Sequence, residues 1–207
     1  MEHRKSSKVS IQISAGVFIM LAGMLLLLPV QWVLAVVIAA MVHESCHAIA
    51  LELLGGNVKV IHIGCRGVVM ETDPLTYPRE GICAFAGPIG SFALMLLVHW
   101  FPRTAICGAI HGLFNLIPLL PLDGGRVLRA LIYQILSPPV GRKVFRILHR
   151  CVWICVCLGC VMLFSKGGIV LLFLGILLLH RILTENPLAK KPFWRYNRRN
   201  IDNEVRL

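Results

Sequence analysis

Long apolar runs separated by short polar turns dominate the chain. A run of about 20 apolar residues is long enough to cross a bilayer as a helix. On this basis the pattern predicts about six membrane-spanning helices, at residues 11–30, 32–54, 81–101, from 104 onward, 151–164 and 168–183. The last two runs are short for a span, so we expect flanking residues to contribute to them.

Two stretches depart from this pattern. Residues 58–72 contain two short β-rich runs around Gly64–Gly67, which predicts a β-hairpin. Its unpaired edges could not face lipid, so it must lie at the membrane face or against protein. Prolines and glycines between 115 and 125 predict a broken fourth helix. The predicted fold class is an all-α polytopic membrane protein with a small membrane-associated β-hairpin.

Composition supports one integral membrane domain at about 11–183. Of the 207 residues, 57% are hydrophobic and only 15% are charged, with a mean hydropathy of +0.77. These values exclude an ordinary soluble globular protein of this size. No room remains for a further soluble domain of ordinary size.

The basic residues predict topology and not nucleic-acid binding, although the net charge is +11. All but two of the 21 Lys and Arg residues fall in four segments, which we assign to the cytosol. These are residues 1–10, the hairpin with its flanks, a basic loop at about 126–150, and the C-terminal end with its tail at 184–207. We therefore expect a multi-pass protein with both termini cytosolic, in a bacterial cytoplasmic membrane.

Eight cysteines include a cluster between Cys151 and Cys160. Most lie in apolar runs or on the predicted cytosolic side, where reduced thiols are expected. No His or carboxylate accompanies the cluster. We therefore interpret it as helix packing, with a second metal or redox site as the open alternative.

The second apolar run contains His43-Glu44-Ser45-Cys46-His47. Histidines at i and i+4 project from one face of a helix, so both rings can reach one metal ion. Glu44 lies beside the first histidine and could accept a proton from a metal-activated water molecule. Because ionisable groups within an apolar span are costly and usually functional, this motif predicts a zinc site.

A catalytic zinc ion usually has three protein ligands and one open position. Asp123, in the broken helix at about the depth of His47, is the best candidate for the third ligand. The alternatives are an ion pair of Asp123 with Arg126 or Arg129, or a turn-capping role before Gly124. We expect Zn²⁺, one per chain, to activate water for hydrolysis of a peptide bond, with Asn115 helping to stabilise the oxyanion.

These two motifs resemble those of the site-2 protease family of intramembrane zinc metalloproteases, peptidase family M50. The second motif is Asn115-x-x-Pro118-x-x-Pro121-Leu122-Asp123-Gly124, and Ala86-Gly87-Pro88 resembles a third family element. The resemblance covers residues from the second span to about 131. It implies zinc on His43, His47 and Asp123, with Glu44 as the catalytic acid/base. It also implies that Asn115, Pro118 and Pro121 place the substrate, and that the hairpin aligns it as an added strand.

The zinc motif departs from its relatives at Ser45-Cys46, where Leu-Gly is common, but these side chains point away from the histidine face. The compact size is similar to the sporulation-type branch, which cleaves a membrane-tethered pro-sigma factor. The expected partners are the lipid bilayer and a single-span or membrane-associated protein substrate, released to the cytosol after cleavage. A regulatory membrane protein is left open.

Two other functions remain alternatives. A zinc transporter could use the same His-Glu-x-x-His helix, but the remaining histidines are scattered and form no second ligand-rich helix. A non-catalytic membrane adaptor would not need Glu44.

Overall fold

The structure is a computed structural model that describes residues 10–64 and 67–164. The described residues up to Val152 belong to one compact unit, and the remainder continue the last helix. The elements in chain order are β1 (Ser10–Ile13), α1 (Ala15–Leu27), α2 (Val30–Leu53), β2 (Val58–Gly64), β3 (Gly67–Thr72), α3 (Tyr77–Ala93), a 3₁₀ segment (Leu94–Leu97), α4 (Pro102–Asn115), α5 (Asp123–Ile135) and α6 (Pro138–Phe164). The mostly helical fold and the small β element match the sequence-based prediction.

The predicted β-hairpin forms, and a third strand joins it. Strands β2 and β3 pair antiparallel, with Ile61 opposite Met70. Strand β1 pairs parallel with β2, so the sheet order is β1-β2-β3. Ser14 lies between the strand and the helix. Its backbone N–H donates to the carbonyl of Ile63 at 2.8 Å, which continues the pairing with β2. Its Oγ accepts from the backbone N–H of Gly16 at 3.3 Å and caps α1.

The first apolar run therefore divides differently from the prediction. Its first residues form β1, and α1 contains only 13 residues, which is short for a span. Among the described residues, two helices are long and apolar enough to cross a membrane by length and composition, at Val30–Leu53 and Tyr77–Leu97. Six spans thus remain a prediction. The predicted sixth span, nearly all of the N-terminal segment and the basic tail lie outside the described residues.

Helix α2 buries its two histidines and exposes large apolar side chains. Its buried stripe recurs every two to four residues, at Val33, Ala35, Ala39, His43, His47 and Leu51. The outer faces expose large apolar side chains, including Met41 at 64% and Leu53 at 82%. Buried histidines together with large exposed apolar side chains suit a helix with lipid outside and protein inside.

Small residues bring α3 and α4 close together. The buried face of α4 consists of Ala105, Gly108 and Gly112. A Cβ atom on Gly108 would lie 2.7 Å from the backbone oxygen of Ser91 in α3, so a larger residue could not fit there. Such close backbone approach is typical of helix packing in membranes.

The fourth apolar run breaks where the prolines and glycines predict. Helix α4 ends at Asn115, and α5 begins at Asp123 after a non-helical segment that includes a cis Leu120–Pro121 peptide bond. This segment folds back over the first turn of α5 and packs closely against it. A Cβ on Gly124 would collide with the backbone of Leu116. The break therefore places Asp123 at the start of a helix.

The predicted basic loop at 126–150 is almost entirely helical. It consists of α5 and the first half of α6, which begins at Pro138, a residue favoured in the first helical turn. Phe145 of α6 packs in a buried cluster with Ile132 of α5 and Leu120 of the non-helical segment. This cluster supports the segment that leads to Asp123. The cytosolic location of residues 126–150 stays a prediction.

Candidate active site

Three buried side chains from two separate helices meet at one point. His43 and His47 project from the same face of α2, and their Nε2 atoms are 3.1 Å apart. The Oδ2 atom of Asp123, at the start of α5, lies 3.0 Å from each of these nitrogens. The relative exposures are 2%, 6% and 6% for His43, His47 and Asp123. The structure thus brings together the three residues that the sequence selected as candidate ligands.

The other nitrogen of each imidazole is held by α3. Nδ1 of His47 donates to the backbone oxygen of Cys83 at 2.7 Å, and a carbonyl can only accept. A neutral His47 therefore carries its proton on Nδ1 and presents the lone pair of Nε2 to the cluster. Nδ1 of His43 lies 2.9 Å from Oγ of the fully buried Ser91. Such partners fix ring orientation in metal sites.

This arrangement fits a zinc ion. Two imidazole nitrogens and one carboxylate oxygen, all within 4.8 Å of one another, form the metal-binding group found among the described residues. Zinc binds such ligands at about 2.0–2.2 Å in tetrahedral geometry, which separates ligand atoms by about 3.3 Å. The observed separations of 3.0–3.1 Å are close to that spacing. Three ligands also leave one position open, as in catalytic zinc sites.

Glu44 is the next residue of α2 after His43. Its side chain is half-buried, and its carboxylate is not part of the three-residue metal-binding group. A carboxylate beside a metal site but outside the ligand set can accept a proton from water. The structure therefore leaves Glu44 available for the predicted acid/base role.

Helix α3 can approach the histidines because Gly87 lacks a side chain. A Cβ atom on Gly87 would collide with Nε2 of His47 and would lie 2.8 Å from Nε2 of His43. In the sequence, Gly87 is recognisable only as part of a family element, and nothing marks Ser91 or the Cys83 carbonyl as partners of the histidines. The small residues of α3 were the available sequence signal. They indicate that another helix packs closely against α3, but they do not identify the side chains in contact.

Asn115 and the prolines lie at the break between α4 and α5. The Nδ2 atom of Asn115 donates to the backbone oxygen of His111 at 3.0 Å and keeps a second N–H. The ring of His111 packs edge-on against that of His43, with centroids 4.6 Å apart. Pro118 and Pro121 lie in the non-helical segment. The roles of Asn115 and both prolines in substrate placement remain proposals.

One alternative considered for Asp123, an ion pair with Arg126, coexists with its contact to the histidines. Its second carboxylate oxygen, Oδ1, forms an ion pair with Nη1 of Arg126 at 3.6 Å. Asp123 also begins α5, where a carboxylate interacts favourably with the helix dipole. The ion pair and the metal-ligand geometry use different oxygens, so neither excludes the other.

Two further observations concern His62 and the cysteines. His62 lies on β2 with its Nε2 3.1 Å from Oε1 of Glu71, a cross-strand contact. The six cysteines for which the structure gives a thiol state are free, at positions 46, 83, 107, 151, 155 and 157. The free thiols agree with the expectation of reduced cysteines.

Ser91→Ala is expected to weaken metal binding without unfolding the protein. The substitution removes the partner of His43 Nδ1 and leaves the three ligand atoms in place. Loss of such a partner lowers metal affinity by about tenfold or more. Competition with a chelator measures the change, and Ser45→Ala, at an exposed position of α2, is the control. Equal zinc retention by both variants would contradict this role for Ser91.

Part of the chain is similar to known proteins. The profile of peptidase family M50 matches residues 74–159. Zinc metalloprotease MJ0392 of Methanocaldococcus jannaschii is 30% identical over 109 residues, covering 46% of this chain and 32% of that protein. A Synechocystis protein described as a zinc metalloprotease is 32% identical over 126 residues, covering 50% and 33%. The chain therefore aligns with about a third of the length of these relatives.

A solved structure shares the fold. The site-2 protease from Methanocaldococcus jannaschii superposes with a TM-score of 0.65 at 18% identity, covering 89% of this chain and 94% of that chain. Sequence profile, named relatives and fold agree with the resemblance identified from the two motifs. Residues 74–159 thus match peptidase family M50, and the fold of the chain is similar to that of a site-2 protease.

Proposed function

We propose that this protein is an intramembrane zinc metalloprotease that hydrolyses a peptide bond in or near the transmembrane segment of a membrane-tethered protein. The observation that carries the proposal is the buried group of His43, His47 and Asp123, whose ligand atoms face one another at 3.0–3.1 Å. The named relatives, described as zinc metalloproteases, support the same chemistry.

The side chains around the cluster have different roles in the proposed reaction. Zinc bound here would polarise a peptide carbonyl and lower the pKa of a water molecule. The Glu44 carboxylate accepts a proton as that water attacks the carbonyl carbon, and it returns the proton to the leaving amine as the C–N bond breaks. The free N–H of Asn115 is suited to stabilise the carbonyl oxygen as it gains negative charge.

The surroundings of α2 support a reaction at membrane depth. His43 and His47 are buried near the middle of a 24-residue helix that passes the length and hydropathy test for a span. The outer faces of this helix are exposed and apolar. We therefore propose a multi-pass protein of a bacterial cytoplasmic membrane, with both termini cytosolic and the substrate fragment released to the cytosol.

The three-stranded sheet supports recognition of an extended substrate. Strands β1 and β3 form its two edges, so each has backbone groups without a partner strand in the sheet. An extended peptide can pair with such an edge through main-chain hydrogen bonds. As the finer proposal, the substrate is a membrane-tethered regulator such as a pro-sigma factor, which is the substrate of the sporulation-type branch.

Zinc content tests the metal site directly. The purified full-length protein is expected to hold about one zinc per chain, and His43→Ala or Asp123→Ala should lose most of it because each removes a ligand. His62→Ala, on the exposed hairpin, is the matched histidine control and should keep its zinc.

The same preparations separate a protease from a transporter. A protease cleaves a single-span reporter carrying an epitope at each end, and Asp123→Ala does not. Reconstituted protein that moves zinc across vesicle membranes and cleaves none of a panel of such reporters would contradict the proposal.

A further inference from the structure

The two oxygens of the Asp123 carboxylate have different partners. Oδ2 lies 3.0 Å from Nε2 of both His43 and His47. Oδ1 lies 3.6 Å from Nη1 of Arg126, which is three residues further along α5 and therefore on the same face of the helix. One oxygen thus faces the two imidazoles and the other faces a cation.

Arg126 is itself held from the opposite side by α3. Its Nε atom lies 3.8 Å from Oε1 of Glu80, a side chain that is only 16% exposed. The same oxygen of Glu80 accepts a hydrogen bond from Nη2 of Arg129, one turn further along α5. Glu80 therefore lies between two arginines, and one of them connects it to Asp123.

Close packing of α3 and α5 leaves this group little freedom. A Cβ atom on Gly81, the residue after Glu80, would lie 3.0 Å from Cβ of Ala130. The side chains of Glu80, Arg126 and Asp123 are 16%, 34% and 8% exposed, so water screens their interactions only in part. The guanidinium of Arg126 is thus paired with a carboxylate on each helix, 3.8 Å from Glu80 and 3.6 Å from Asp123.

We propose that Arg126 is a positioning residue that makes Asp123 a single-oxygen ligand. By holding Oδ1, the guanidinium keeps the carboxylate from turning both oxygens toward the metal. The proposal rests on the metal site of the proposed function. Its consequence is a coordination position that stays free for the attacking water and the peptide oxygen.

A purely structural role for Arg126 makes a different prediction. The Glu80–Arg129 hydrogen bond already connects α3 with α5, and the described structure gives Arg129 no ion pair with Asp123. If Arg126 only joined the two helices, loss of either arginine would have a similar effect. If Arg126 orients the carboxylate, only its own loss would alter the ligand geometry.

Cobalt substitution distinguishes these roles, because the visible absorption of Co²⁺ depends on the number and geometry of its ligands. The full-length protein is loaded with Co²⁺ as wild type, Arg126→Gln, Arg126→Lys and Arg129→Gln. Arg126→Gln is expected to change the spectrum toward a higher coordination number. It should also change zinc retention against a chelator by about tenfold, the size typical for groups that orient metal ligands.

The remaining variants are the controls. Arg126→Lys keeps a cation within reach of Oδ1 and should restore most of the wild-type spectrum, whereas Arg129→Gln should leave the spectrum unchanged. A wild-type spectrum in Arg126→Gln, or equal changes in Arg126→Gln and Arg129→Gln, would overturn the positioning role alone. Failure of the wild-type protein to bind Co²⁺ or Zn²⁺ would overturn this role together with the proposed function.

Discussion

Replacing Glu44 with glutamine is expected to abolish cleavage while leaving zinc bound. The substitution keeps the size of the side chain but removes the group that accepts and returns the proton. Loss of general acid–base catalysis lowers rates by about 10²- to 10⁴-fold. Zinc should remain because Glu44 is outside the ligand group of His43, His47 and Asp123. Cleavage of a co-expressed single-span reporter and metal content of the purified protein measure the two effects.

The matched control is Glu52→Gln on the same helix. Glu52 is exposed near the end of α2, eight residues beyond Glu44, so its neutralisation should change neither cleavage nor zinc content. Cleavage by Glu44→Gln at the rate of this control would show that Glu44 has no acid/base role. Zinc loss in Glu44→Gln would instead place its carboxylate among the ligands.

Gly87→Ala is expected to remove most of the zinc and, with it, the activity. The added methyl group would occupy the space of Nε2 of His47 and come within 2.8 Å of Nε2 of His43, the two nitrogens that face Asp123. Either the imidazoles turn away or α3 separates from α2. Overpacking of a buried site costs about 1–3 kcal/mol, so a reduced thermal midpoint should accompany the zinc loss.

Gly23→Ala is the control for the glycine substitution. Gly23 lies inside α1, where an added Cβ would meet nothing within 4 Å, and alanine favours helix formation over glycine. This variant should keep its zinc and its activity, with a thermal midpoint no lower than that of the wild type. Full zinc occupancy in Gly87→Ala would contradict the close approach of α3 to the ligands.

The sequence was sufficient to locate the metal-binding group because its signals are local. His43 and His47 share a face by helical periodicity alone. Asp123 stood out because an acidic residue follows two prolines within an apolar run, where a charge is costly. In both cases residue type and spacing along the chain carry the chemistry.

The groups that orient these ligands could not be predicted, because they depend on packing between distant segments. The Cys83 carbonyl that holds His47 is a backbone atom, and any residue would supply it. Ser91 forms a hydrogen bond with His43 although the two residues are 48 positions apart in the chain. The pairing of Glu80 with two arginines of α5 likewise requires the contact of α3 with α5, which no local pattern specifies.

The start of the first helix was misplaced for a different reason. Ser10–Ile13 alternates polar and apolar residues, which is the period of a strand, but the segment is short and adjoins a long apolar run. Pairing with β2 decides its conformation, and that partner lies 50 residues further along the chain, with Ser10 opposite Val60. Ser14, a favoured helix N-cap residue, was the available signal that separates β1 from α1.

The position of Asp123 after the break has a consequence for the timing of activity during synthesis. A nascent chain that ends before residue 123 contains both histidines and Glu44 but lacks the third ligand. The three candidate ligands are therefore all present only after α4 and the turn that follows it have been made.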